Sequence, residues 1–302
     1  MTAALLRSGT EGVPAVPARV TVDARRSRGR RPVRATLIAL GVLVWLGATL
    51  GPYLVMLLTS LTPNAQLIAP GTQLIPENPT LQAYEDLFTL TPFLGYLRNS
   101  VLTAVGTVVL TLIVSVCAAI SLSRFEFRAR RTVLTGLLIA QLFPAVLLVI
   151  ALQTELRTMG LLDSQAGLIL VYTTFASPFA TFLLKGFLDN LPKELDEAAA
   201  IDGAGPLKMV LYILLPLMRP GLSAAGTYVF IFSWNEFLYA LTFTSTKAQT
   251  IPVGLHTFIG DYQIRWDLLT AGGVVAALPV LIGFMIVQRQ LIDGLTAGAV
   301  KG

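Results

Sequence analysis

The chain has 302 residues, 54% of them hydrophobic and only 13% charged, and its mean hydropathy is +0.72. A soluble domain carries about 25% charged residues, so this composition excludes an ordinary soluble protein and points to a bilayer. The net charge of +5 is local, because the basic excess gathers at positions 25–34. The single cysteine excludes an internal disulfide, and the single histidine argues against a His-rich metal site.

Residues 1–24 are rich in Ala, Val, Pro, Thr and Gly without periodicity and are expected to be disordered. The basic cluster Arg25, Arg26, Arg28, Arg30, Arg31 and Arg34 suits either an anionic partner or a cytoplasmic topology signal beside a first membrane helix. The second reading is preferred, since a long apolar stretch follows at once. That stretch exceeds the roughly 7–15 apolar residues of a cleaved signal peptide. Residues 1–35 are therefore expected to form a basic, disordered cytoplasmic tail, and 36–302 a transmembrane domain.

Six spans are predicted, at approximately 36–61, 100–122, 133–153, 165–187, 221–243 and 268–288. Each meets the roughly 20 residues needed to cross the hydrocarbon core. Pro52, Pro144, Pro178 and Pro279 lie within spans, where a missing N–H bends a helix and neighbouring helices absorb the cost. Cys117 lies in an apolar run and is expected to serve packing. With the N-terminus inside, 18 of the Lys and Arg residues fall in cytoplasmic segments and four in outer loops, so both termini are expected in the cytoplasm.

The outer loop at 62–98 carries five prolines. Within it Thr80 can cap a short helix bearing Leu81, Tyr84, Leu87 and Phe88 at helical spacing, which suits packing on the spans better than docking of an external partner. No Gly-xxxx-Gly-Lys-Ser/Thr phosphate loop, His-Glu-xx-His or Gly-x-Ser-x-Gly occurs. The chain therefore offers no nucleotide, metal or nucleophile site, and energy for work has to enter from elsewhere.

The cytoplasmic loop between the fourth and fifth predicted spans is the candidate stretch to receive it. Pro192 suits a first helical turn, and Glu194, Asp196 and Glu197 place carboxylates near the positive end of the helix dipole. Ala198, Ala199 and Ala200 make the helix narrow, able to enter a groove on another protein. Gly203 is placed to end it in a left-handed conformation, and Pro206 to begin a second helix. The stripe Leu207, Val210, Leu211 and Leu214 is expected to pack on the bundle. Physical reasoning alone leaves open whether this is a receiver for a partner or an ordinary helical hairpin between spans.

The spacing of Glu197-Ala198-Ala199, Gly203 and Ile213-x-Leu215-Pro216 resembles the EAA loop of ABC importer permeases. Asn99-Ser100, Ser123-Arg124-Phe125-x-Phe127-Arg128, Phe143-Pro144, Trp234-Asn235-Glu236-Phe237 and the terminus Gly294-Leu295-Thr296-Ala297-Gly298 are similar to the carbohydrate, MalG-like branch. The resemblance covers about residues 36–302, with a transmembrane type-1 core at about 95–290. It implies an all-α type I importer fold of six transmembrane helices in the cytoplasmic (inner) membrane, with an EAA coupling helix. It implies a MalF-like second permease subunit, a homodimeric cytoplasmic ABC ATPase that binds ATP and Mg, and an extracytoplasmic solute-binding protein that delivers a sugar. No cofactor or nucleic acid is implied for this chain. Glu197, Ala198, Ala199, Asp202, Gly203, Ile213, Leu215 and Pro216 would couple to the ATPase, and Gly294, Leu295, Thr296, Ala297 and Gly298 would reach its dimer interface. Asn235 and Glu236 would lie on a translocation pathway or outer gate; alternatively the span ends near Trp234 and leaves Glu236 in the headgroup region. A permease for a non-sugar solute, or a secondary carrier outside the ABC class, is the competing expectation.

Overall fold

A computed structural model describes residues 30–69, 71, 75–260 and 263–299, with side chains described between 35 and 288. The chain divides into two compact units, Met1–Pro52 and Tyr53–Gly302. Helix α1 (Arg30–Ser60) contributes to both. It starts inside the basic cluster, within the stretch expected to be an irregular tail; residues 1–29 lie outside the described ones. Its apolar side chains, Leu43, Val44 and Trp45 among them, are exposed.

The second unit is built of helices joined by turns, with one isolated antiparallel bridge, Ile259 with Ile264, among its described residues. Helix α2 (Asn64–Leu67) and α3 (Gln82–Thr89) occupy the proline-rich segment between α1 and the next long helix. The Thr80 hydroxyl accepts the Gln82 N–H, but the N-cap of α3 is Leu81 and not Thr80, one residue later than expected. Ala83 and Leu87 are buried with Phe93, Trp234, Ile251 and Leu268, so α3 is a packing element, while Leu81 and Phe88 stay exposed.

The core of the bundle is the pair α4 (Phe93–Arg124) and α7 (Gln165–Asp189). Their contact face carries Ala104, Thr107, Thr111, Ser115 and Ala119 against Thr173, Ala176 and Ala180, all buried. Small residues let helix backbones approach where lipid offers no hydrophobic drive. Gly106 marks the limit, since a Cβ there would stand 2.5 Å from Ile169 Cδ1. Cys117 is exposed on α4, contrary to the packing role expected of it: the buried face of the helix is taken by Ser115, Val116, Ala119 and Ile120, and Cys117 points away from it.

Pro178 does not break α7. It cannot donate to the Thr174 carbonyl, and the Ser177 hydroxyl lies 3.4 Å from that oxygen as a substitute donor. Pro144 has the opposite outcome. A residue before proline is pushed out of the helical region, and Phe143 is extended (φ −75°, ψ 127°). Helix α5 (Arg130–Leu142) therefore stops, and a 3-10 turn at Ala145–Leu148 leads into α6 (Val149–Thr158) at 93° to it. The third predicted span is thus two helices and not one.

Beyond α7 come α8 (Glu194–Ile201), α9 (Pro206–Met209), a π-turn at Val210–Leu214, and α10 (Leu215–Leu217). The chain then bends by 78° into α11 (Arg219–Asn235). Two short helices, α12 (Leu238–Phe243) and α13 (Ile251–His256), precede α14 (Trp266–Ala299). Ala35–Ser60, Phe93–Arg124, Gln165–Asp189 and Trp266–Gln288 are each long and apolar enough to cross a membrane. Counting each bent pair as one span gives up to six among the described residues.

Candidate functional site: helix α8 and the bend that follows it

Helix α8 ends as its sequence dictates. Gly203 has φ +75°, a left-handed conformation that costs a glycine little. The Gly203 N–H donates to the Ala200 carbonyl (3.1 Å) and the Ala204 N–H to the Ala199 carbonyl (2.9 Å). These two bonds are the Schellman arrangement, which satisfies carbonyls the helix end would orphan. Asp202 is the exposed C-cap. Gly205 is extended and Pro206 opens α9 at its first position.

The outward surface of α8 is bare. Glu197 and Ala198 are exposed, and Glu197 has no ion-pair or hydrogen-bond partner among the described residues. Ile201 is 87% exposed, and Leu207 and Tyr212 on the following helix are 71% and 76% exposed. Only Ala199 is buried. Exposed apolar side chains around an unpaired carboxylate form a surface suited to a protein partner.

The predicted stripe on the second helix is half right. Leu214 is fully buried, and Met209 and Val210 pack with it against the cluster of Leu184, Leu188 and Met218, but Leu207 and Leu211 face outward. The cause is the π-turn, whose wider winding shifts the faces out of the 3.6-residue register. Pro216 accounts for that turn: its ring needs the Tyr212 carbonyl moved aside and it offers no N–H in return. Ile213 and Leu215 are half-buried and Pro216 is exposed.

Sequence reasoning missed how this element is tied down. Arg124, at the end of α4, enters the sequence reading as a topology charge and as part of the Ser123–Arg128 motif, without an internal partner. Its Nε stands 2.8 Å from Asp196 Oδ2 on α8, at ion-pair distance although not aligned as a hydrogen bond, and its side chain is only 7% exposed. Arg124 Nη2 also donates to the Leu191 carbonyl (3.3 Å). Beside it the Ser123 hydroxyl donates to Asp189 Oδ1 at the end of α7 (2.7 Å), and Lys185 pairs with the same carboxylate. Helix α8 is thus linked to α4 by charge as well as to α11 by the chain.

The opposite end of the bundle is tied by Asp163, which the sequence did not single out. It sits at φ 51° before the Ser164 cap of α7. Its carboxylate accepts the N–H groups of Ser245, Lys247 and Ala248 at 3.0–3.1 Å, and the hydroxyls of Ser245 and Thr246. Partial burial raises its pKa, but these donors outweigh that and hold the carboxyl well below the usual carboxylate range. Asn99 adds a second clamp, donating to the Lys247 and Gln249 carbonyls while accepting from Gln165; the Ser100 hydroxyl accepts the Ile251 N–H. This gives Asn99-Ser100 a structural reason.

Asp163→Asn puts an amide where only acceptors fit. Hydrogen bonds to charged groups contribute about 1.5–3 kcal/mol, so amide exchange at Ser245–Ala248 should quicken by about tenfold or more. Because the folded pKa is depressed, the clamp is complete above the unfolded carboxylate value of about 4 and is lost only as pH falls through the folded one. Wild-type protection, corrected for intrinsic exchange, should therefore be flat from about pH 5 to 8.

Asn235 and Glu236 sit where α11 breaks. Asn235 is exposed and its amide donates back to the Ile231 carbonyl (2.8 Å). Glu236 is extended, and its two oxygens accept the N–H groups of Tyr239 and Ala240, closing the first turn of α12. The buried Tyr172 hydroxyl lies beside it. The terminal residues Gly294, Leu295, Thr296, Ala297 and Gly298 continue α14 as helix; their side chains lie outside the described ones.

Residues 112–296 match the family model described as binding-protein-dependent transport system inner membrane component. The chain is 36% identical over 273 residues to the sulfoquinovosyl glycerol transport system permease protein SmoH of Agrobacterium fabrum, covering 90% of this chain and 94% of the relative. It is 36% identical over 272 residues to the trehalose transport system permease protein SugB of Mycobacterium tuberculosis, covering 89% and 98%. A subunit of a bacterial ABC transporter involved in the import of the acidic polysaccharide alginate superposes with a TM-score of 0.73 at 23% identity, over 88% of this chain and 98% of that one, which shows the shared fold. A bundle of helices long and apolar enough to cross a membrane, an exposed helix with the EAA spacing and a family match over most of the bundle agree: this chain is a multi-pass membrane protein of the binding-protein-dependent transport system inner membrane component family.

Proposed function

We propose that the chain is the permease subunit of a sugar importer, driven through α8 by a separate ATPase that binds ATP and Mg. The relatives named for trehalose and for sulfoquinovosyl glycerol support a sugar or sugar conjugate as solute. Transport would also use a second, MalF-like permease subunit and an external solute-binding protein. Both termini lie in the cytoplasm, as the 18-to-4 division of Lys and Arg supports. Glu197 pairs with a basic residue of the ATPase, Gly203 holds the bend, Ile213, Leu215 and Pro216 carry it into α11, and Gly294–Gly298 reach the ATPase dimer interface. Asn235 and Glu236 flank the solute route at the break after α11.

The observation that carries this reading is the surface of α8: an unpaired carboxylate and a nearly fully exposed Ile201, on a helix anchored from behind by Arg124 and Ala199. The reading is tested in proteoliposomes holding this chain, its sister subunit and the ATPase. Labelled trehalose or maltose should accumulate only with both ATP and the binding protein present. Accumulation without ATP would point to a secondary carrier instead.

A further inference from the structure

At the break of the third span lies a cavity of about 530 Å³, between the end of α5, the 3-10 turn, α7 and α11. Four of its lining residues are aromatic: Phe143, Phe175, Tyr228 and Phe232. Two are neutral polar residues, Gln141 and Thr174. None of its lining residues is charged.

The rings form a ladder. Phe179 and Tyr228 are 4.2 Å apart between centroids, Tyr228 and Phe232 stack at 6.3 Å, and Tyr172 meets Phe232 edge-on at 6.3 Å. Tyr172 in turn lies beside Glu236. Tyr228, Phe232 and Glu236 are spaced by four residues on and just beyond α11, so they share one face and span about 12 Å along its axis. Phe175 stacks on Tyr239 at 5.0 Å, and the Tyr239 hydroxyl donates to the Ala145 carbonyl, which holds the cavity wall to the broken span.

Gln141 decides what kind of space this is. It lies within the third span, is exposed, and has no hydrogen-bond partner among the described residues. An amide facing lipid there would cost several kcal/mol. Irregular backbone at membrane depth, as at Phe143-Pro144, is tolerated where it is buried in protein or lines a water-filled cavity, and the open space here fits the second. An aromatic wall with a few fixed polar groups is the composition of a small-ligand pocket. Aromatic faces stack on the C–H faces of pyranose rings, and an amide and a hydroxyl match sugar hydroxyls. The absence of a lining cation and the Glu236 carboxylate near the ladder disfavour an anionic solute.

We infer that this cavity is a sugar subsite supplied by this subunit itself, selective for neutral sugars over uronates and sulfonated sugars. The inference rests on the importer reading and goes further, to direct contact and charge selectivity. The test uses the assembled transporter in proteoliposomes, with Cys117→Ser and Gln141→Cys in this chain and a membrane-impermeant thiol reagent. Trehalose, maltose and an alginate disaccharide are each presented with the binding protein. Cys at position 141 should label from the aqueous side, and the transported neutral sugar should slow that labelling. Tyr228→Ala and Phe232→Ala should each raise KM for that sugar by about tenfold, with Tyr228→Phe close to wild type.

Labelling by lipid-soluble maleimides alone would show a lipid-filled groove and overturn the inference. Labelling that the transported sugar does not slow, or that only the uronate slows, overturns it while the importer reading stands. A wild-type transporter that moves none of the sugars with ATP and binding protein defeats the importer reading, and this subsite with it.

Discussion

Glu197→Lys leaves the chain in the membrane and weakens ATPase association by about a hundredfold, so that uptake by the assembled transporter is nearly lost. The size follows from what the residue faces. Glu197 has no partner among the described residues of its own chain, so reversing it breaks no internal contact. Lys in the opening turns of α8 costs the helix dipole about 0.3–1 kcal/mol, too little to unfold a helix closed by a Schellman pair and by Arg124. Replacing attraction with like-charge contact at an interface costs several kcal/mol. Glu197→Gln should fall between, removing the charge while keeping the helix. The readouts are copurification of the ATPase and uptake per transporter; normal values for both in Glu197→Lys would sink the receiver role.

The second large effect concerns Arg124 and Asp196. Exposed ion pairs contribute about 0–1 kcal/mol, whereas removing one partner of a buried pair costs about 3–5 kcal/mol. With side chains 7% and 20% exposed, this pair stands nearer the second case. Asp196→Ala should therefore leave ATP hydrolysis running while the sugar moved per ATP falls several-fold, because α8 then pulls on α11 alone. Arg124→Asp should do the same more strongly. The swap Arg124→Asp with Asp196→Arg should recover part of the stoichiometry, short of wild type because the bond to the Leu191 carbonyl is lost. Equal effects of the two single changes and no recovery in the swap would make Arg124 a packing residue only.

What was legible in the sequence followed from signals that are local. Spans are read from runs of apolar residues, and the bend after α8 from Gly203 and Pro206, whose conformational demands need no tertiary context. The sharpness of the Phe143-Pro144 break was not legible. Pro178 carries the same local signal, yet α7 runs through it, because a hydroxyl one residue earlier reaches the freed carbonyl. The apolar stripe on the second helix was misjudged for a related reason: a 3.6-residue period assumes regular winding, and the π-turn before Pro216 removes it. Arg124, Asp163 and Asn99 act on partners 66 to 150 residues away in the chain. Nothing in the neighbourhood of each residue announces that. The ladder of Tyr228 and Phe232 reads in sequence as ordinary aromatic content of a span, and only the broken third span turns its face into a cavity wall.

The receiver role of α8 is tested most directly by amide hydrogen exchange on the permease pair with and without the ATPase subunits. Exchange reads the element in place and needs no substitution. Glu194–Ala204 should become protected when the ATPase binds, with protection increasing further when ATP closes the ATPase dimer. Unchanged exchange at α8, with protection appearing elsewhere on the cytoplasmic face, would contradict the account.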